Sequence, residues 1–354
     1  MFSLFGKKSS GLLGIDIGSS SVKMVALSTN GSQKQIDAYA IVPLSASAIV
    51  DGNIEDLAEV SGAIRRGLKL CGGKYTGAVV SVPSSAVITK RIDISNLFIG
   101  FDLEDQVKIE ADQFIPYPLE EVALDFEVLG PSKKDPNLNE ILLVACRKDS
   151  AESREEAVSS AGIKCEVVDV DTYAIERYIT LLDKTVTNEM FALIDIGAST
   201  LSLNVCQGGK VVYNREQAFG GKDLIHALQQ QKGISIEQVE KAFRNNSLSN
   251  EELDDVVEPF INTVVQQVSR ALQFFYSSGI QGQLTKVYVC GGLSGLPNFI
   301  ETLADELDLP AERLNPINQC NVGRKLNSDN LKHDSAMLVK ACGLAMRSFS
   351  IGNK

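Results

Sequence analysis

An aspartate that ends an apolar strand and is followed at once by glycine and hydroxyl residues occurs twice in this chain, as DIGSSS (16–21) and DIGAST (195–200). Backbone N–H groups in such a turn face a concavity that favours anions, glycine lets a phosphate come close, and serine or threonine hydroxyls add donors. The carboxylates of Asp16 and Asp195 cannot hold phosphate themselves, but they suit a hydrated Mg²⁺ that does. Taken singly, either turn reads as an ordinary hairpin. As a pair 179 residues apart in a chain of 354, they fit one hairpin per lobe, closing on one polyphosphate from both sides. A third element, CGGLSGLPNF (290–299), sets paired glycines between a strand and a helix. A purine and its ribose can lie against backbone there because no Cβ intrudes.

The elements that must position these turns follow from periodicity. LLGIDIGSSSVKMVAL (12–27) and FALIDIGASTLSLNV (191–205) alternate branched apolar residues around a tight turn, which predicts two antiparallel hairpins. Between them, strands are expected at 77–83 and 86–94, an amphipathic helix at 101–114, and paired strands at 121–130 and 140–148 across the polar turn 131–139. A helix at about 150–161, stopped by Gly162, leads through a strand at 164–170 into a helix from Tyr173. Downstream, Gly220-Gly221-Lys222 opens a helix, 235–243 and 254–278 read as helical, and 286–292 is a buried strand. It runs into the helix of 296–307, where Pro297 suits the first turn.

Bulk properties narrow the function. The 34 basic and 45 acidic residues leave a net charge of −11 with no basic face, so nucleic acid is not an expected partner. Seven cysteines without a C-x-x-C pair suit a reduced, intracellular chain. The two histidines, His226 and His333, are expected at the surface and are too few for an ordinary zinc site. No apolar run reaches the roughly 18 residues that span a bilayer. No G-x-G-x-x-G or P-loop occurs, which argues against Rossmann and Walker-type nucleotide sites.

The ordered trio resembles the phosphate-1, phosphate-2 and adenosine motifs of the actin, Hsp70 and sugar-kinase superfamily. That implies an α/β, two-lobed actin-like ATPase fold built of duplicated RNase H-like domains. The resemblance assigns Asp16, Gly18, Ser19, Ser20, Ser21 and Lys23 to the first phosphate loop, and Asp195, Gly197, Ser199 and Thr200 to the second. It assigns Gly291, Gly292 and Leu293 to adenosine, and Gly220, Gly221 and Lys222 to a phosphate-approaching element. Glu240, in VEKAF (239–243), keeps part of an adenosine-contacting motif whose lysine is here Phe243. ATP or ADP is the implied cofactor, with Mg²⁺ held through water by Asp16 and Asp195. Asp171 stands where relatives carry a water-orienting acid, and reads equally as a helix N-cap.

Within the superfamily, QFIPYPLEEVALDFEVLGP (113–131) resembles the PilM family, the actin-like, FtsA-related component of type IV pilus assembly. The implied domains are a first lobe of 1–76 and 166–188, an inserted α+β subdomain of 77–165, and a second lobe of 189–354 with a helical part at about 215–280. The implied function is a cytoplasmic ATP-binding scaffold, at most a weak ATPase. Its expected partners are the N-terminal cytoplasmic peptide of a PilN-like inner-membrane protein and other assembly-platform proteins, with self-association a further expectation. It would lie peripherally at the membrane through those partners. The alternatives are a sugar or carboxylate kinase of the same fold and an FtsA-like filament protein of cell division.

Overall fold

The structure, a computed structural model, describes residues 11–30, 33–182, 188–233, 235, 238, 249 and 253–349. The chain opens with an antiparallel meander of β1 (Leu13–Ile17), β2 (Ser21–Asn30) and β3 (Gln33–Pro43). A two-residue hairpin, β4 (Ile49–Val50) and β5 (Asn53–Ile54), turns through Asp51 and Gly52, both at positive φ. Helix α1 (Leu57–Cys71) begins where the Asp56 carboxylate accepts the Glu59 N–H and ends at left-handed Gly72. That supplies both caps the backbone needs. Strand β6 (Ala78–Val82) then runs parallel to β1.

The chain next leaves this sheet for a small unit of its own. Strands β7 (Val87–Ser95), β8 (Val122–Pro131) and β9 (Leu138–Arg147) form an antiparallel sheet in the order β7-β9-β8. A three-stranded sheet needs a covered apolar face. Val107 and Ala111 of α2 (Phe101–Ala111) supply it, packing on Ile92, Ile94, Ile141 and Leu143. Helix α3 (Lys148–Ser160), β10 (Cys165–Val170) and α4 (Asp171–Ile179) return the chain to the first sheet.

The second half repeats the first. Strands β11 (Met190–Ile196), β12 (Leu201–Gln207) and β13 (Lys210–Gln217) form the same meander. Helices α5 (Gly221–Lys232) and α6 (Glu258–Tyr276) precede β14 (Leu284–Cys290), which is followed by α7 (Phe299–Leu307) and β15 (Ala311–Arg313). The sheet order β13-β12-β11-β14-β15 mirrors β3-β2-β1-β6-β10. The apolar stripe of α6, including Val264, Val268, Leu272 and Phe275, fills the core beneath it.

From 189 onward the chain does not stay within the second lobe. Strand β16 (Asn321–Val322) pairs with β3 at the edge of the first sheet. After α8 (Ser328–Asp334), helix α9 (Val339–Ala345) packs on β1, β2 and α4. It closes a core shared by both lobes, in which Ile175, Tyr178, Phe191, Leu193, Tyr288 and Cys342 meet. All seven cysteines are free thiols, and both histidines are exposed. Among the described residues no helix is long and apolar enough to cross a membrane.

Several sequence-based boundaries shift. The helix expected over 101–114 stops at Ala111, where tighter turns at Gln113 and Phe114 replace the ladder. The helix placed from Tyr173 starts at Asp171. Pro297 is not in the first turn of its helix: a tight turn at Gly292–Gly295 and left-handed Asn298 delay the start to Phe299. The expected helix at 235–243 lies outside the described residues.

Candidate functional site

Both Asp-Ile-Gly turns are made the same way. The Gly18 N–H donates to the Ser21 carbonyl at 3.1 Å, and the Gly197 N–H to the Thr200 carbonyl at 2.9 Å. Each turn therefore presents its aspartate at a strand end, and both carboxylates are buried. Strand register sets Lys23 opposite Asp16, so its Nζ reaches Asp16 Oδ2 at 3.2 Å.

The glycines are required by close approach. A Cβ on Gly220 would lie 2.6 Å from the Gly197 carbonyl oxygen. Its neighbours pin the two loops together, Gly221 N–H donating to Gly197 O and Lys222 N–H to Ala198 O. Gly291 has φ +89°, and a Cβ there would meet Ile196 O at 2.4 Å and Asp195 Oδ1 at 2.5 Å. Only glycine lets β14 end beside Asp195. Leu293 follows and lies against Gly221. Around Gly292 no backbone atom is near enough to demand glycine.

A residue that sequence reasoning did not single out joins these parts. Lys340, on α9, places its Nζ 3.2 Å from Asp195 Oδ2 and 3.5 Å from Asp171 Oδ2. Burial pushes this ammonium toward neutrality, but Asp171, Asp195 and Asp16 outweigh it and hold it well above the ordinary lysine range. Burial likewise raises Asp16, and Lys23 and Lys340 together bring its carboxyl below the usual value. Asp171 is not a side-chain N-cap. Its other oxygen accepts the Ser81 hydroxyl at 2.6 Å, which ties α4 to β6. The Ser81 carbonyl in turn accepts Arg154 Nε at 2.9 Å, while the same buried guanidinium reaches Ser150 O and Gly52 O.

The structure thus brings Asp16, Gly18, Lys23, Asp171, Asp195, Gly197, Gly220, Gly221 and Gly291 together where the turns of the two lobes meet, joined by Lys340. Ser19 and Ser20 lie in the first turn and Ser21 opens β2, while Ser199 and Thr200 lie in the second turn. Ser199 Oγ is buried with no hydrogen-bond partner among the described residues. Glu240 and Phe243 lie outside the described residues. Magnesium fits less well. The ammonium groups of Lys23 and Lys340 stand beside the oxygens that would hold it, and no cluster of three or more acidic, His or Cys side chains suits a metal among the described residues.

A second concavity lies where the inserted unit meets the first lobe. It is a cavity of about 540 Å³ whose walls include Asp51, Ile88, Ile115, Tyr117 and Ser150. The Arg147 guanidinium lies 5.5 Å from the Tyr117 ring centroid. The IPYP turn (115–118) forms part of this wall.

Two similar lobes that enclose the paired turns and the glycine strand end define an actin-like ATPase fold. The solved ethanolamine utilization protein EutJ from Carboxydothermus hydrogenoformans shares it, with a TM-score of 0.58 at 17% identity over 95% of this chain and 89% of that one. MreB 5 of Spiroplasma citri bound to AMPPNP shares it too, at 0.54 and 12% over 97% of each chain. A family profile described as type IV pilus assembly protein PilM matches residues 14–349, and the chain belongs to that family. It is similar to a solved PilM-PilN type IV pilus biogenesis complex, with a TM-score of 0.79 at 25% identity over 96% of this chain and 99% of that one.

Proposed function

We propose that the chain is an ATP- or ADP-binding scaffold of the type IV pilus assembly platform that holds the N-terminal cytoplasmic peptide of a PilN-like membrane protein. The carrying observation is the similarity to the PilM-PilN complex over 96% of this chain. That span takes in the inserted unit, which nucleotide binding alone does not need. The family match favours this reading over a small-molecule kinase or a cell-division filament protein.

In this reading the backbone N–H groups of 18–21 and 197–200 cradle the phosphates from the two lobes, and Ser199 Oγ gains the partner it lacks. Gly291 to Leu293 carries the adenosine. A nucleotide gripped from both sides fixes the angle between the lobes, and so tunes any surface that spans them. Asp171 is already engaged by Ser81 and Lys340, so it positions these groups and hydrolysis is slow. The partner peptide lies in the cavity beside Tyr117, and through that partner the chain is held in the cytoplasm at the inner membrane.

The test is anisotropy of a fluorescent peptide copying the partner's N-terminal tail, titrated with the full chain in ATP, ADP and nucleotide-free buffer. Saturable binding is expected. Tyr117→Ala should weaken it by about 1–2 kcal/mol, roughly 5–30-fold, because an aromatic anchor is lost from a pocket. No saturable binding in any nucleotide state, or an unchanged affinity in this variant, sinks the assignment of the cavity.

A further inference from the structure

Lys340 is the sole charged residue in SAMLVKACGLAM (335–346), on a helix otherwise given to packing. Its Nζ is pinned between carboxylates at the end of β11 and the start of α4, and its side chain is only 24% exposed. The helix cannot carry it elsewhere. A Cβ on Gly14 would lie 2.1 Å from the Ala341 carbonyl oxygen, and one on Gly343 would lie 1.9 Å from that of Ala174. Backbone contact on both sides therefore fixes the depth of α9, and with it the ammonium.

Charge in the cleft is also already balanced. The carboxylates of Asp16, Asp171 and Asp195 face the cationic groups of Lys23, Lys340 and, acting on Asp171, the buried Arg154. A divalent ion bound by Asp16 and Asp195 would add two charges to a neutral, half-buried cluster and displace an ammonium from it. The hydration shell that Mg²⁺ keeps would need the place beside Asp195 that the Lys340 ammonium already fills. An ammonium, by contrast, is a compact point charge with three donors and a serviceable phosphate ligand. Two donors of Lys340 serve Asp195 and Asp171, which leaves the third for a ligand oxygen.

We propose that Lys340 is the built-in cation of the cleft: its ammonium, rather than a divalent ion held by Asp16 and Asp195, meets the phosphates of the bound nucleotide. The inference rests on the nucleotide reading above and specifies how that site neutralises its ligand. It makes nucleotide binding nearly independent of divalent ions.

Two measurements on the full chain test it. The first uses Mn²⁺ alone, followed by electron paramagnetic resonance without nucleotide. The wild type should show no site in the cleft, whereas Lys340→Met, which takes the ammonium from Asp171 and Asp195, should bind Mn²⁺ at least about tenfold more tightly. A wild type that binds Mn²⁺ as well as this variant overturns the proposal. The second is ATP calorimetry in Mg²⁺ and in EDTA. Wild-type affinity should change less than about threefold between buffers, and Lys340→Arg should keep that indifference because its charge remains. Lys340→Met should need Mg²⁺ by at least about tenfold. A wild type that loses ATP in EDTA refutes the role even if Lys340→Met does not fold. A chain that binds ATP in neither buffer refutes the nucleotide reading and the phosphate role with it, while the Mn²⁺ titration still decides what occupies the cation position.

Discussion

Substituting Gly343→Ala tests whether helix α9 sets the geometry of the cleft. The added methyl would lie 1.9 Å from the Ala174 carbonyl oxygen and 2.6 Å from its carbon. Ordinary contact begins near 3.5 Å, so α9 and α4 must part by about 1.5 Å. Both contacts are backbone, which no rotamer change relieves. Overpacking of this kind costs about 2–3 kcal/mol, the upper end of its usual range. By the scale of about 2–4 °C per kcal/mol for chains of 150–250 residues, that lowers the melting temperature by about 4–12 °C. The same displacement would carry Lys340 Nζ out of reach of Asp195, now 3.2 Å away. Gly62→Ala, within α1, is the control. Its added Cβ meets only Arg66 Nη1 at 3.6 Å, so it should be neutral or stabilise by up to about 1 kcal/mol through helix propensity. Differential scanning calorimetry of both variants, with ATP titration of each, checks the argument. A Gly343→Ala protein that melts with the wild type and binds ATP equally would refute the packing account.

Asp16 should make stability depend on pH on the acid side. Its carboxyl is held below the unfolded value, so its contribution is present above about pH 4 and is lost as pH falls through the lower, folded value. Thermal melts of Asp16→Asn between pH 3 and 7 should show a flatter acid limb than the wild type; parallel limbs would count against it. Arg154→Met leaves three carbonyls on separate segments without their shared donor, and should destabilise by about 2–4 kcal/mol. A melt unchanged within a degree would show that water replaces the guanidinium.

The paired hairpins were legible because turn chemistry is local: an Asp-x-Gly turn after alternating apolar residues reads the same in both halves. The inserted strands were legible for the same reason. Lys340 was not, since its meaning depends on Asp195, which lies 145 residues earlier, and on glycine-mediated packing that no periodicity reveals. The available signal was one lysine in an apolar run. Arg154 was hidden differently. Within ESREEAV (152–158) it reads as one more charge on a solvated face, yet it is 2% exposed because carbonyls of three segments converge on it. Pro297 misled because proline favours a first helical turn, whereas left-handed Asn298 intervened.

The return of β16 and α9 to the first sheet has a consequence for biosynthesis. The meander of β1 to β3 and its partner β6 are complete once residue 82 is made, but the edge strand at 321–322 and the covering helix at 339–345 follow only after the second sheet. At about 5–20 residues per second, that interval lasts roughly 13–50 s. Throughout it Val25 and Ile36 lack apolar neighbours that are not yet synthesised, Cys342 and Ala345 among them. The amino-terminal lobe therefore cannot mature ahead of the rest. Truncation before residue 339 should yield an aggregating chain rather than a folded first lobe, because that lobe lacks its covering helix until residue 345 is made.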